Sequence, residues 1–96
     1  MKQVYVSAVA EDDLRQAWYF IAEKSTAAAD RQEAEFQEAF NNLAEMPAIG
    51  QRKPEWTDRP VRFWPVGSYW VIYRPETQPL EIVRVLHAAR DIPQLL

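Results

Sequence analysis

The sequence has no cysteine, a single histidine, only two glycines and no apolar run long enough to cross a bilayer. Each shortage removes a class of protein. Without cysteine there is no disulfide framework and no thiolate metal site, and a reducing cytosol is permitted. One histidine cannot build a multi-histidine metal centre within one chain, so no metal or cofactor is expected. The opening stretch MKQVYVSAVAEDD carries no long apolar run; no signal peptide is expected, and the expected compartment is the cytoplasm. Positive charge is also scarce. Eleven Lys and Arg stand against fourteen Asp and Glu, giving a net charge of −3 and a pI of about 5.1. A surface built to grip phosphate backbones gains from excess positive charge. The acidic balance therefore favours a protein partner over a nucleic acid.

What is present describes one domain over residues 1–96, with 48% hydrophobic and 26% charged residues, enough for one modest core. The chain is organised around its last third, Val61 to Asp91. Val61–Val66 is an apolar-rich run, Gly67-Ser68 is a tight two-residue break, and Tyr69–Arg74 is aromatic and β-branched. Pro75 to Pro79 is a turn bounded by prolines, which cannot donate to a ladder. Leu80–His87 is a third run, whose alternation places Leu80, Ile82, Arg84 and Leu86 on one face and Glu81, Val83, Val85 and His87 on the other.

Ahead of this meander, Lys2–Ser7 reads as a short first strand. Ser7 suits a helix N-cap, and Glu11, Asp12 and Asp13 place negative charge where the helix dipole favours it. A first helix is predicted from about Ala8 to Lys24, with Leu14, Ala17, Trp18, Ile21 and Ala22 as its apolar stripe. Ser25-Thr26 breaks it and caps a second helix from about Ala27 to Met46, striped by Ala29, Phe36, Phe40 and Leu43 and ended by Pro47. Gln51–Pro60 is a polar loop with Trp56 among basic residues. The tail Ile92–Leu96 is too short for an independent helix and is expected to pack back on the domain or on a partner. The order β-α-α-β-β-β gives an α+β, two-layer fold. Placing the first strand beside the last yields an antiparallel four-stranded sheet with a helical hairpin on one face. The other face is left open at least in part, which suggests a partner.

The residues in this order resemble the RelE/ParE superfamily of bacterial toxins, and its ParE branch most. The resemblance rests on Asp13-Leu14, Trp18–Ala22, Leu43–Pro47 with Gly50, Val61–Phe63, Val66–Tyr69, Val71–Arg74 and, most specifically, Ile82–Asp91. It covers nearly the whole chain. It implies the toxin of a type II toxin–antitoxin module that inhibits DNA gyrase by protein–protein binding. It further implies neutralisation by a ParD-type antitoxin in a hetero-oligomer that touches DNA only through the antitoxin. The RelE branch implies a different activity, ribosome-dependent cleavage of messenger RNA. A third alternative is an inactive member that still binds antitoxin.

Cleavage of RNA needs acid–base groups and cations near the scissile phosphate. The candidates are Arg62, Arg74, Arg84, His87 and Arg90, and the closing AARDIPQLL supplies no Tyr or His. No catalytic residue is assigned. Candidate partner or target contacts are Arg62, Trp56, Arg74, His87 and Arg90, since the planar fork of arginine binds carboxylates and tryptophan anchors interfaces. Each has a plainer structural reading. A lone histidine at a strand end is commonly hydrogen-bonded, surface arginines are commonly solvated or ion-paired, and a polar loop is commonly mobile. Arg84 fits the structural reading better, and Arg90, which follows the last strand, fits contact better. The two helices and the open sheet face are expected to form an apolar groove that takes an antitoxin helix.

Overall fold

The computed structural model describes residues 3–96, so Lys2, the expected start of the first strand, lies outside the described residues. The elements are β1 (Val4–Val6), α1 (Ala8–Ala22), α2 (Thr26–Glu45), β2 (Arg62–Val66), β3 (Tyr69–Arg74), β4 (Leu80–His87) and a single turn, α3 (Ile92–Leu95). The helix starts follow from their caps: the Ser7 hydroxyl accepts from the Ala10 N–H at 3.0 Å and the Ser25 hydroxyl from the Ala28 N–H at 3.1 Å. Gly67, at φ 58°, supplies the left-handed residue of the β2–β3 hairpin.

The sheet order is β1-β4-β3-β2, and the helical hairpin lies on one face, as the element order predicts. One pairing departs from the expected all-antiparallel sheet: β1 runs parallel to β4, with Val4 opposite Leu80 and Val6 opposite Ile82. The cause lies between α2 and β2. Gln51 forms an antiparallel bridge with Phe63, each N–H donating to the other's carbonyl at 2.8 Å. The chain thus makes an extra pass beside β2 before β2 begins, and that reversal turns the whole meander over relative to β1.

A second departure lies within β4. Tyr73 pairs with Ile82 and Ile72 with Arg84, so Val83 is an extra, bulged residue. The bulge breaks the expected alternation. Leu80 and Ile82 are joined by Val85 under the helices, while Leu86 faces the opposite side.

Under the helices, Ala10 and Ala17 of α1 and Phe36, Phe40 and Leu43 of α2 pack on Val71, Tyr73, Ile82 and Val85. The second face is not open. Phe63, Ile72 and Leu86 are covered by Ile92, Leu95 and Leu96 of the tail and by Trp56 of the loop. Trp56 meets Phe63 and Trp70 edge-on, with centroids 5.5 and 5.9 Å away, and Lys53 Nζ lies 4.6 and 4.8 Å from the Trp56 and Trp70 rings. What stays exposed on this side includes Tyr5 beside the Arg74–Glu81 ion pair.

Two contacts fix the ends of this frame. Tyr73, wholly buried, donates its hydroxyl proton to the Pro47 carbonyl at 2.7 Å and accepts the Gly50 N–H at 2.9 Å. A Cβ at Gly50 would collide with the Tyr73 ring, which is why the turn after α2 carries glycine there. At the other end, β1 stops after three residues and leaves half of β4 without a strand on that side. Ser7 donates through its N–H to the Ile82 carbonyl and through its hydroxyl to the Val83 carbonyl, each at 3.0 Å. The Asp13 carboxylate then takes the Val85 N–H at 3.0 Å. Arg84 grips the same carboxylate with both prongs, Nε to Oδ2 at 2.8 Å and Nη2 to Oδ1 at 3.0 Å, and donates from Nη1 to the Leu95 carbonyl at 3.1 Å.

Tyr73→Phe is expected to cost about 1–3 kcal/mol in urea unfolding, because it leaves the buried Gly50 N–H and Pro47 carbonyl without their partner. Burial raises the Tyr73 pKa above 10.0, and the Gly50 N–H and the Arg62 charge offset only part of that. The fold therefore holds the phenol proton more tightly than the unfolded chain does. That contribution is full below pH 10.0 and is lost as pH rises through the raised folded value. Tyr73→Phe should flatten the alkaline loss of stability. Trp56→Ala should lower stability by about 2 kcal/mol or more, because it uncovers Phe63 and Trp70; a change of only a few tenths would mean a solvated loop residue.

Candidate protein-contact groove

The inward stripe of α1 includes Ala10, Asp13 and Ala17. Helical spacing places Gln16 and Phe20 along the same flank as Asp13 and Ala17. That flank looks across at the half of β4 that β1 does not reach. Between them lies a concavity of about 400 Å³, walled by Ala17, Phe20, Tyr69, Val85 and His87 and closed at one end by Arg90. A second hollow of about 330 Å³ continues past Phe20, Tyr69 and His87 to Arg31 and Glu35 of α2. The two form one groove across the α1 side of the domain. Phe20, 64% exposed, stands as a ridge between them.

The floor is rigid. Tyr69 is buried, with Phe36 edge-on at 5.5 Å and His87 edge-on at 5.1 Å, and burial pushes its phenol pKa up. His87 Nδ1 accepts the Ala89 N–H at 3.0 Å, which places the ring proton of the neutral form on Nε2. Arg90 is exposed, and neither it nor Arg31 has an ion-pair partner among the described residues.

Of the five residues expected to make contacts, His87 and Arg90 come together in this groove. The other three lie elsewhere. Arg62 donates from Nη1 to the Gly50 carbonyl at 2.9 Å, under the turn that ends α2. Arg74 pairs with Glu81 at 3.1 Å on the second face. Trp56 is half-buried in the second core rather than presented on a mobile loop. Arg84 is ion-paired with Asp13, in line with its structural reading. Sequence reasoning missed Phe20 and Tyr69 as groove residues. A signal existed for Phe20: with Tyr19 it lies off the apolar stripe, and both rings are largely exposed.

Chemically, the groove offers apolar walls, one imidazole whose Nδ1 is committed to the main chain, and free guanidinium groups at its ends. Such a surface can desolvate an apolar side chain and neutralise a carboxylate. Among the described residues, no three His, Cys, Asp or Glu side chains come together in a way that could hold a metal ion, and no described helix is long and apolar enough to cross a membrane.

Residues 4–92 match the family model of the ParE toxin of type II toxin–antitoxin systems, parDE. In three dimensions the chain is similar to a solved structure of the chromosomal ParDE TA system from P. aeruginosa. The TM-score is 0.70 at 16% identity, covering 91% of this chain and 96% of that one. No curated protein sequence is similar enough to count as a match. With the family model spanning every strand of the sheet and both long helices, the chain belongs to the ParE toxin family of type II toxin–antitoxin systems.

Proposed function

We propose that this chain poisons DNA gyrase by binding it in the cytoplasm, with no catalytic site of its own, and that a ParD-type antitoxin silences it by occupying the toxin surface. DNA is reached only through the antitoxin. The observation that carries the binding reading is how the cations are spent. Phosphate chemistry needs several cations converging on one point. Here Arg62, Arg74 and Arg84 are committed to the Gly50 carbonyl, Glu81 and Asp13, at separate places. The groove that remains is mainly apolar, and apolar centres with a charged rim suit protein contacts.

A ribosome-dependent mRNA endonuclease is the second reading, and one observation favours it: His87 and Arg90 share the groove. Intact transcripts in poisoned cells would end that reading. Unimpaired growth under strong expression would instead indicate an inactive member that still binds antitoxin.

The deciding assay is supercoiling of relaxed plasmid by purified gyrase with ATP. This chain is expected to inhibit the reaction and accumulate cleaved DNA, and the product of the adjacent antitoxin-type reading frame is expected to relieve it. Unimpaired supercoiling at concentrations that stop growth would contradict the proposal. Phe20→Ala and Arg90→Ala alter exposed side chains, so stability should change by no more than about 0.5 kcal/mol. Binding of gyrase or antitoxin through the groove should nonetheless weaken roughly tenfold or more.

A further inference from the structure

We propose that the outer hollow between α1 and α2 is a receptor for an arginine or lysine side chain of the target enzyme, on a surface separate from the groove. This deepens the gyrase reading and rests on it. The hollow has a volume of about 470 Å³ and is lined by Glu11, Leu14, Arg15, Trp18 and Tyr19 of α1 and by Glu33 of α2. None of these residues lines the groove. At about 100° per residue, the mean direction of positions 11, 15, 18 and 19 on α1 is roughly opposite that of 16, 17 and 20.

The walls are two aromatic rings and two carboxylates. Trp18 and Tyr19 stand perpendicular with centroids 5.4 Å apart, so their rings form a corner. The Trp18 indole N–H donates to the Asp30 carboxylate at 2.9 Å, which holds that ring across the two helices. Tyr19 is largely exposed. The same molecule shows what such a corner holds. On the second face, Trp56 and Trp70 also meet edge-on, at 5.9 Å, and Lys53 Nζ lies within 4.8 Å of both ring centroids. Among the described residues, no cation lies over Trp18 or Tyr19. Arg15, the cation at the rim, is turned to Asp12 at 3.4 Å. Neither Glu11 nor Glu33 has an ion-pair partner among the described residues.

Charge selects the partner. α1 carries three Asp and Glu against one Arg, and α2 carries five against one. The field over the helical layer therefore attracts basic surfaces. An enzyme that grips DNA presents Arg and Lys to neutralise phosphates, and gyrase is such an enzyme. The aliphatic stem of either residue can lie along Leu14 and Trp18 while its head reaches the ring corner and the carboxylates of Glu11 and Glu33.

The test runs the full chain in the supercoiling assay and in a binding titration with the product of the adjacent antitoxin-type reading frame. The variants are Glu11→Gln with Glu33→Gln, Tyr19→Ala, Tyr19→Phe, and the control pair Glu38→Gln with Glu45→Gln. All five positions are exposed, so the variants stay folded. The half-inhibitory concentration should rise about tenfold or more for the Glu11/Glu33 pair and for Tyr19→Ala. It should rise no more than about threefold for Tyr19→Phe, which keeps a ring face, and for the control pair. Antitoxin affinity should stay within about twofold throughout, because the groove is a separate surface. Unchanged inhibition by the Glu11/Glu33 pair or by Tyr19→Ala would overturn the receptor and leave the gyrase reading standing. Equal losses in the control pair would overturn it as bulk charge, and a Tyr19→Phe loss equal to that of Tyr19→Ala would overturn the cation contact. Weakened antitoxin binding would also overturn it, because the hollow would then serve the antitoxin or the fold. A wild-type chain without effect on gyrase would overturn the gyrase reading and this proposal together.

Discussion

The carboxylate of Asp13 accepts hydrogen bonds from both prongs of Arg84 and from the main-chain N–H of Val85, and three parts of the fold meet at that point. Asp13 sits on α1, Arg84 and Val85 on β4, and Arg84 also holds the Leu95 carbonyl of the tail. Taking an aspartate out of water costs several kcal/mol unless each oxygen finds donors. Here both oxygens do, and Asp13 is only 7% exposed. The Asp13 hydrogen bond and charge raise the pKa of Arg84 against the opposing effect of burial, so the guanidinium stays ionised. The bulge at Val83 belongs to the same arrangement, because it resets the strand so that Val85 rather than its neighbour faces the helices.

That clamp also shapes the surface on which the proposed function depends. A full-length first strand would have covered the edge of β4. A three-residue β1 followed directly by a helix leaves Ser7 and Asp13 to cap the edge, with the 16, 17, 20 flank of α1 lying beside it. The apolar groove lies between that flank and the end of β4, with the exposed ring of Phe20 and the cation of Arg90 at its margins. The proposed function takes this combination of groups to serve binding more than bond-breaking. The arginines of β2, β3 and β4 are committed to structure, and among the described residues the imidazole has no carboxylate partner in its hydrogen bonds.

The sequence made the local features legible. The stripes of α1 and α2, the serine caps and the Gly67 hairpin are short-range patterns, and the structure follows them to within a residue or two. The hidden features depend on distant partners. Asp13 and Arg84 are 71 positions apart, so Asp13 reads from sequence only as a charge that suits a helix start. The parallel pairing of β1 depends on one Gln51–Phe63 bridge inside an irregular loop. The bulge shifts the alternation of β4 without any glycine to mark it. Trp56 sits among Arg52, Lys53 and Arg59 and reads as exposed, whereas cation–π contact with Lys53 and edge-on packing against Phe63 turn it inward. At the candidate site, His87 was legible from its place at the end of the last strand and Arg90 from its place after it. Phe20 showed only as an aromatic off the apolar stripe and Tyr69 not at all, because the groove forms only when α1 crosses the end of β4.

The most direct test of this account is a double-mutant cycle between Asp13 and Arg84, using Asp13→Ala, Arg84→Met and the double variant in urea unfolding. A buried, fully bonded pair predicts that each single variant loses about 3 kcal/mol or more. The double variant should then lose little more than either single, giving a coupling of about 3 kcal/mol, the upper end for residues in direct contact. Small, additive losses of no more than about 1 kcal/mol each, as for an exposed ion pair, would contradict the claim that this contact holds the helix, the strand and the tail together.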